Sequence, residues 1–229
     1  MPITPQGLDF LIENKMRDDR AWFHEHREIY EKNLLTPLRE TVGALTDTFA
    51  RIDPQIVCEP KIGRSISRIF RDTRFSKDKS IFRANLWCSF ERERQKRRGE
   101  EFSGFYFEIS PNGLELGCGC YHMSTATLTA LRELILAGDP DFDKAQTALE
   151  QNGFVLYGQP YKRSKFPDRP ARERLWLDRR NPSAWKFSDD FALLFSDQLP
   201  DYLSEQFLAL APVYEFLRKA QQLRISRGE

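Results

Sequence analysis

Cationic side chains between positions 68 and 83 are the residues best suited to chemistry, in the run RIFRDTRFSKDKSIFR. Their spacing would let them surround one anion, because Arg presents a planar fork of donors that fits a phosphate or a carboxylate. The competing interpretation is an internal network with the protein's own carboxylates, and such surface ion pairs contribute little to stability. Both interpretations stay open. The predicted ligand-binding residues of this run are Arg68, Arg71, Arg74, Lys77, Lys79 and Arg83.

Local spacing predicts how this run is built. Residues 64–71 place their arginines on one face and their apolar residues on the other, which predicts a helical turn. Residues 72–79 then predict an ordered loop, with Phe75 as its apolar anchor. In that loop Asp72 could orient a guanidinium group, and Ser76 or Ser80 could donate a hydroxyl. Because guanidinium groups on one helix face repel each other, we expect a negative group nearby.

The segment that follows alternates apolar and polar residues, as strands do. Residues 81–90, 102–110 and 113–122 predict three strands of an antiparallel meander over 81–122, with one apolar face packed on helices. The sequence Ser-Pro-Asn-Gly at 110–113 predicts a tight turn between the last two strands. The outward residues of this predicted sheet are Arg83, Asn85, Trp87, Tyr106, Glu108, Glu115 and Tyr121.

This outer face predicts an aromatic floor with a cationic rim. Trp87 and Tyr106 are costly to expose fully and join the predicted ligand-binding residues, because the basic run lies at one end of the face. The expected partner is a phosphorylated small molecule, a nucleotide or a single-stranded nucleic acid. Gly117 and Gly119 would let a ligand or another backbone come close. The alternative is that C-terminal helices cover this face and that Trp87 is second-layer core.

Acid–base catalysis has two candidate residues, Glu108 and Glu115, which adjacent strands could bring together. No nucleophile elbow, Walker loop, dinucleotide fingerprint or zincin motif occurs in the sequence, so no cofactor is expected. Cys118, Cys120 and His122 invite a metal interpretation. On a straight strand, however, the outer two of these residues would lie about 13 Å apart, so we expect no metal site there.

Helical spacing and turn residues predict the remaining elements of a single α+β domain over 1–229. Asp18 and Asp19 form a good helix start, Pro37 should kink or split its helix, and Gly138 and Gly153 should end helices. No linker is long or polar enough to separate two domains. The predicted segments are N-terminal helices at 7–51, the basic motif at 61–80, the meander at 81–122, helices at 124–152, a short strand at 154–157, an Arg- and Pro-rich segment at 161–185 and C-terminal helices at 199–225.

Composition narrows the class of protein. Hydrophobic residues make up 40% of the 229, which excludes a disordered chain, and no apolar run approaches the length of a membrane span. The start lacks the features of a secretory signal and the four cysteines are too few for a disulfide scaffold, so a soluble cytoplasmic protein is expected. The net charge of +1 hides two basic segments, 61–83 with a net +6 and 162–180 with a net +5. Local charge of this kind favours a specific anion site over general DNA coating.

The chain resembles the conserved hypothetical proteins catalogued as domain of unknown function 2461. The motif that carries the resemblance is R-I-x-R-D-x-R-F-S-x-D-K, present at 68–79. A Gly-x-Gly-x-Tyr strand end at 117–121 and a Leu-x-x-x-Arg helix at 128–132 are also similar, whereas the His122-Met123 pair departs from the expected proline. Further matching residues are Phe10, Leu11, Trp22, Phe23, Arg27 and Tyr30. The resemblance supports the fold and site predictions and implies no established activity.

Three functional hypotheses follow from these residues. The first is a binding module for a phosphate-bearing ligand or nucleic acid. The second is an enzyme acting on such a ligand, with Glu108 or Glu115 as its base and the arginines stabilising charge. The third is a structural protein whose arginines are internally paired. A membrane partner is not expected under any of the three.

Overall fold

The computed structural model describes residues 1–93, 103–120 and 122–228. The strands are β1 Leu86–Glu91, β2 Ser103–Ser110, β3 Gly113–Cys120, β4 Val155–Tyr157 and β5 Ser183–Ser188. They form an antiparallel sheet with the order β1-β2-β3-β5-β4, which, together with the helices, confirms the predicted α+β class. The helices are α1 Pro5–Arg17, α2 Arg20–Glu25, α3 Arg27–Tyr30, α4 Thr36–Ala44, α5 Thr46–Ile52, α6 Thr125–Leu136, α7 Pro140–Asn152, α8 Ala171–Leu177, α9 Phe191–Leu194, α10 Leu199–Ala209 and α11 Ala211–Ser226.

Contacts divide the chain into two compact units. The first comprises Met1–Phe90, Tyr106–Leu116 and Phe187–Ser204, and the second comprises Glu91–Phe105, Gly117–Lys186 and Glu205–Glu229. The single-domain organisation stays a prediction. Within the described part of the chain, no helix combines the length and the apolar character that crossing a bilayer requires.

In the first unit, Pro37 disturbs its helix as predicted. A π-helical turn at Glu31–Leu35 comes directly before α4. Because Pro37 has no N–H to donate to the Asn33 carbonyl, that carbonyl accepts the Thr4 N–H instead, at 3.5 Å. The helices predicted over 7–51 are therefore α1 to α5 and this π turn.

The inner faces of β1 and β2 carry the predicted apolar residues. Phe90 on β1 stacks on Phe49 of α5, with ring centroids 4.3 Å apart, and Phe107 on β2 lies 6.1 Å from Phe90. All three side chains are buried, so the predicted packing of the sheet on the N-terminal helices is confirmed. The second and third predicted strands become β2 and β3, and two predicted strand residues, Phe102 and Tyr121, lie outside the described residues.

In the second unit, α6, α7 and α11 pack together. Gly138 and Gly153 follow α6 and α7 with φ of +71° and +68°, the left-handed conformation that stops a helix, as predicted. Phe105 on β2 contacts Phe207 and Tyr214 of α10 and α11, with centroid distances of 5.6 and 5.1 Å. The predicted packing of the sheet on the C-terminal helices is therefore confirmed.

The Arg- and Pro-rich segment, which its composition left unassigned, contains α8 and the beginning of β5. In the second unit β5 pairs antiparallel with β4, and Leu156 lies opposite Ala184. A Cβ atom at Gly119 of β3 would come within 2.4 Å of the Ser183 Cβ. The close approach predicted at Gly119 is thus made by a neighbouring strand.

Candidate functional site

The segment ahead of β1 is extended, and the predicted helical turn at 64–71 is wrong. The Ser67 N–H donates to the Trp87 carbonyl at 2.9 Å, and the Ser89 N–H donates to the Ser65 carbonyl at 2.9 Å. These bonds run along the free edge of β1. Pairing with that edge satisfies backbone groups on both sides, which outweighs the helical spacing of the side chains.

The run then turns back on itself and forms a narrow hairpin. The Arg71 N–H donates to the Ile81 carbonyl at 2.8 Å, and the Arg83 N–H donates to the Ile69 carbonyl at 3.0 Å. Residues 71–80 close this hairpin, and we call them the basic loop. Residues 81–83 form one arm of this hairpin. The first strand of the sheet therefore starts at Leu86 and not at 81 as predicted.

Two aromatic residues do not lie as predicted. Phe70 is 38% exposed, although its ring contacts Phe82 with centroids 5.0 Å apart. Phe75 is 96% exposed, so the prediction that it anchors the basic loop is wrong. The side chain of Arg71 takes the anchoring position, because it is directed at the polar groups of the loop itself.

Arg71 holds the basic loop from within. Its guanidinium group donates to the Asp78 carboxylate and the Ser80 hydroxyl, and to the Ser76 hydroxyl at 3.4 Å. The side chain is only 21% exposed. The Ser80 N–H, the Arg71 guanidinium and the Ser80 hydroxyl lower the pKa of the Asp78 carboxyl. Arg71 is therefore a structural residue of the loop, whatever else it contacts.

Arg74 also pairs within the loop. Its Nη2 lies 2.6 Å from the Asp72 carboxylate, and its Nε lies 3.0 Å from the other oxygen. Hydrogen bonds from the Arg74 side chain and then from its backbone N–H lower the pKa of Asp72 to about 2. Both groups are exposed, so solvent screens this pair. The internal ion-pair interpretation thus describes Arg71 and Arg74.

Arg68, Lys77 and Lys79 are also predicted cations of the run, and none of them forms an ion pair with a residue that the structure describes. Arg68 and Lys77 are exposed, and among the described residues neither makes an ion pair. Lys79 is exposed as well, and its Nζ donates to the Thr73 carbonyl at 2.8 Å. These three side chains keep charge available to solvent.

Helix α1 supports the hairpin, through residues that the sequence analysis missed. The Asp18 carboxylate accepts the N–H groups of Ile81 and Phe82 at 2.7 and 3.0 Å, and Lys15 donates to the Ser80 hydroxyl. Asp18 ends α1 in the left-handed region, with φ of 50°. The sequence predicts a helix start at Asp18 and Asp19, and this prediction holds for Asp19 alone, which caps α2. The sequence signal for Asp18 as a helix end is its place directly after a periodic helix, since Asn and Asp tolerate the left-handed conformation.

Among the predicted site residues, Arg83 packs against an aromatic ring and is partly withdrawn from solvent. Its guanidinium carbon lies 4.4 Å from the centroid of the half-buried Trp87 ring. Its Nε is buried without a hydrogen-bond partner, and its side chain makes no ion pair in the described part of the chain. Burial first, and then the like charge of Arg71, lower the pKa of Arg83. Two arginines therefore lie near each other at this point. Among the described residues the Arg83 guanidinium forms no ion pair, although Glu108 is near enough to attract it.

The carboxylate candidates lie beside Arg83. Glu108 is half-buried, and this burial together with the nearby Glu115 raises its pKa, against a hydrogen bond to Asn85 and the attraction of Arg83. The structure thus brings together five residues of the predicted outer face: Arg83, Asn85, Trp87, Glu108 and Glu115. Tyr106 is half-buried on the same strand as Glu108, two residues away.

The cysteines of β3 pack into the second unit. Cys118 and Cys120 are buried, and burial raises the pKa of Cys118. The Cys120 thiol donates to the His122 carbonyl at 3.2 Å. No cluster of three or more His, Cys, Asp or Glu side chains that could hold a metal occurs among residues 1–93, 103–120 and 122–228.

Comparison with known proteins gives one match. No curated protein and no solved structure matches the chain. The model of a family described as "Conserved hypothetical protein (DUF2461)" matches residues 6–216, which include the basic run, all five strands and most of the helices. Since this match extends over nearly all of the 229 residues, the chain belongs to the DUF2461 family of conserved hypothetical proteins.

Proposed function

We propose that this protein binds a phosphate-bearing ligand at the surface formed by Arg83, Trp87 and the basic loop. The observation that carries the proposal is the half-buried guanidinium group of Arg83, which lies over Trp87. Among the described residues it forms no ion pair, and its Nε has no hydrogen-bond partner. Withdrawing a charge from water is unfavourable unless something compensates it. A phosphate oxygen accepting hydrogen bonds from Arg83 would supply that compensation.

The surrounding charges favour an anion at the same place. Arg71 is close enough to Arg83 for their like charges to interact, and its charge is shared with Asp78 inside the loop. Arg68, Lys77 and Lys79 add exposed positive charge along the run. In this arrangement Arg71 and Arg74 shape the loop, and the exposed cations attract the ligand over a longer distance.

The aromatic residues indicate what else the ligand carries. Trp87 and Tyr106 are both half-buried on the predicted outer face. A flat ring stacks well on such side chains, which fits a nucleotide or a short single-stranded nucleic acid. The Glu108 carboxylate opposes an anion, so we expect binding to strengthen when the pH falls far enough to protonate it.

The test compares two arginines that both lie over a tryptophan. Arg83→Gln removes the unpaired guanidinium, whereas Arg17→Gln removes one that lies 5.2 Å from the Trp22 ring and already pairs with Glu13. Binding of AMP and of fluorescein-labelled oligothymidylate would be measured over a range of salt concentrations. We expect Arg83→Gln to weaken binding about 10-fold or more, the loss of a hydrogen bond to a charged group, and Arg17→Gln to leave it within about two-fold.

The salt dependence identifies the ligand class. For oligothymidylate, the slope of log affinity against log salt should be about −0.7 per phosphate contacted. Saturable binding of AMP with a shallow slope would favour the small molecule. Equal effects of the two variants, or no saturable binding of either probe, would contradict the proposal.

A second candidate function is catalysis on a phosphorylated ligand, with Glu108 as general base. The observation that favours it is the half-buried carboxyl of Glu108, whose pKa is raised next to Glu115 and within the attraction of Arg83. The Glu108→Gln variant keeps the size of the side chain and an oxygen for Asn85. If the function is catalytic, this variant abolishes turnover of a panel of phosphate mono- and diesters while AMP still binds. Turnover that persists in Glu108→Gln would remove this candidate.

A further inference from the structure

In the second unit, two cations of the second basic segment, 162–180, and one cation of α6 lie close to the ring of Tyr161. The guanidinium carbons of Arg132 and Arg180 lie 5.2 and 5.3 Å from the centroid of Tyr161, and the Lys165 Nζ lies 4.3 Å from it. Because all three cationic groups lie within 5.3 Å of the same centroid, any two of them are separated by at most twice that distance. We call Tyr161 and these three cations the Tyr161 cluster.

Among the described residues the cluster has no acidic partner of its own. In the parts of the chain that the structure describes, Arg132, Lys165 and Arg180 make no ion pair. Asp178 is an acidic residue of the same segment, and its carboxylate accepts the Ser164 hydroxyl at 2.6 Å and the Lys165 backbone N–H at 2.8 Å. Those bonds hold the turn that carries Lys165 and leave its ammonium group unpaired.

Arg132 is fixed in place before any ligand binds. From α6, its Nε donates to the Leu177 carbonyl at 3.0 Å, and its Nη2 donates to the Tyr161 hydroxyl at 3.0 Å and to the Arg179 carbonyl at 3.4 Å. The ring of Phe166 lies 5.7 Å from its guanidinium carbon. Within the described residues its Nη1 makes no hydrogen bond, so this donor remains for a ligand.

The same charges act on Tyr161 itself. The hydrogen bond from Arg132 and the positive charges of Arg132, Lys165 and Arg180 lower the pKa of its phenol. The site therefore stabilises negative charge at the position of the phenol oxygen. An external anion next to the phenol oxygen would be attracted by the same positive charges.

We propose that the Tyr161 cluster binds the terminal phosphate of a phosphomonoester. Three cations and a phenol that can donate a hydrogen bond match a dianion with several acceptor oxygens better than they match a carboxylate, which carries one charge. The cluster surrounds one ring and does not extend as a strip, which suits one phosphate group rather than a nucleic-acid backbone. The aromatic ring of Phe166 leaves an apolar contact for the organic part of the ester.

The experiment uses the full chain carrying Arg83→Gln, so that the site proposed in the first unit does not contribute. Inorganic phosphate, phenyl phosphate and an oligothymidylate would be titrated by calorimetry. The double variant Lys165→Gln/Arg180→Gln removes two cations whose side chains make no hydrogen bond or ion pair with the residues that the structure describes. The matched control, Lys162→Gln/Arg163→Gln, removes the same charge from exposed residues of the same segment that have no contact with the ring.

We expect phenyl phosphate to bind in a saturable manner and more tightly than inorganic phosphate. The Lys165/Arg180 double variant should lose about 10-fold or more in affinity, and the control should change about two-fold or less. Tyr161→Phe, which removes the hydroxyl and keeps the ring, should give an intermediate loss. Arg132→Gln is left out because Arg132 also holds two backbone carbonyls and its loss could unfold the region.

Three outcomes would overturn the proposal. Equal losses in the double variant and its control would indicate unspecific attraction to positive charge. Absence of saturable binding of both phosphate and phenyl phosphate would show that the cluster holds no phosphate. Tight binding of oligothymidylate with no binding of phenyl phosphate would indicate a nucleic-acid surface instead.

Discussion

The basic loop and the Tyr161 cluster are both rich in positive charge, but their cations have different partners. In the basic loop, Arg71 and Arg74 pair with Asp78 and Asp72, carboxylates of the same loop. In the Tyr161 cluster, the cations meet an aromatic ring and backbone carbonyls, and the neighbouring Asp178 is engaged elsewhere. A count of charges along the sequence gives a net +6 and a net +5 for the two segments and hides this difference. What decides the chemistry is whether an acidic side chain is placed to reach each cation.

The carboxylate that holds the basic hairpin from outside should have the largest effect on stability. Asp18→Ala removes the acceptor of two N–H groups, at Ile81 and Phe82, and places a Cβ residue without a polar side chain in the left-handed region. Two N–H groups without partners and this backbone strain together should lower the free energy of unfolding by about 3 kcal/mol, measured by urea denaturation.

Asp18→Asn is the matched control for that variant. Its amide oxygen can still accept a hydrogen bond, and Asn tolerates the left-handed conformation, so the loss should be about 1 kcal/mol or less. If Asp18→Ala were as stable as Asp18→Asn, the hairpin would not depend on this carboxylate. The comparison between a carboxylate-held loop and an aromatic-held cluster would then fail.

Removal of one cation should change the stability much more in the basic loop than in the Tyr161 cluster. Arg71→Met takes away the group that binds Asp78 and Ser80, so it should lower the free energy of unfolding by about 1–2 kcal/mol after solvent screening. Arg180→Gln relieves repulsion in the Tyr161 cluster but also removes a cation–π contact with Tyr161. These two effects oppose each other, so the free energy of unfolding should change by about 0.5 kcal/mol or less at low salt.

Salt and phosphate provide the controls for this pair of variants. In high salt, Arg180→Gln should become less stable relative to the wild-type protein, because screening removes the repulsion that the variant relieves. The difference should grow when phenyl phosphate is added, because the wild-type protein would then be stabilised by its ligand. A loss of stability in Arg180→Gln at low salt as large as that in Arg71→Met would show that the cluster is internally satisfied.

Sequence analysis succeeded where a feature depends on neighbouring residues and failed where it depends on partners that are distant in the chain. Strand alternation predicted the buried faces of β1 and β2, because the side-chain period of a strand is local. Helix stops at Gly138 and Gly153 were predicted for the same reason. The basic segment at 64–71 was wrongly predicted as helical because its conformation depends on the edge of β1, about 20 residues later in the chain.

The candidate site shows the same limit more sharply. Arg83 and Glu108 were named from their positions on alternating strands, and the structure brings them together. The partners of the loop arginines, Asp72 and Asp78, were within the motif, but spacing alone did not show which cation each would bind. The hydrogen bonds from Ile81 and Phe82 to α1 had no local signal, since they join residues more than 60 positions apart.

Acidification should have the smallest and most local effect of these changes, because it should loosen the basic loop and leave the Tyr161 cluster unchanged. The pKa of the Asp78 carboxyl is lowered from its usual value of 3.8. Its contribution to the loop is therefore complete above that value and is lost as the pH falls through the lowered pKa. We expect the amide of Ser80, which donates to Asp78 at 2.9 Å, to exchange faster, relative to the intrinsic rate at each pH, as the pH is lowered below 3.8.

The amide of Tyr161 is the internal control for acidification. It donates to the backbone carbonyl of Asp178 at 2.8 Å, and a carbonyl does not titrate in this range. Its protection, measured by NMR hydrogen exchange in the same samples, should stay constant while that of Ser80 falls. If both amides lost protection together, the acid effect would be global unfolding. If Ser80 kept its protection down to pH 2, the hydrogen bond to the Asp78 carboxylate would not be what orders the basic loop.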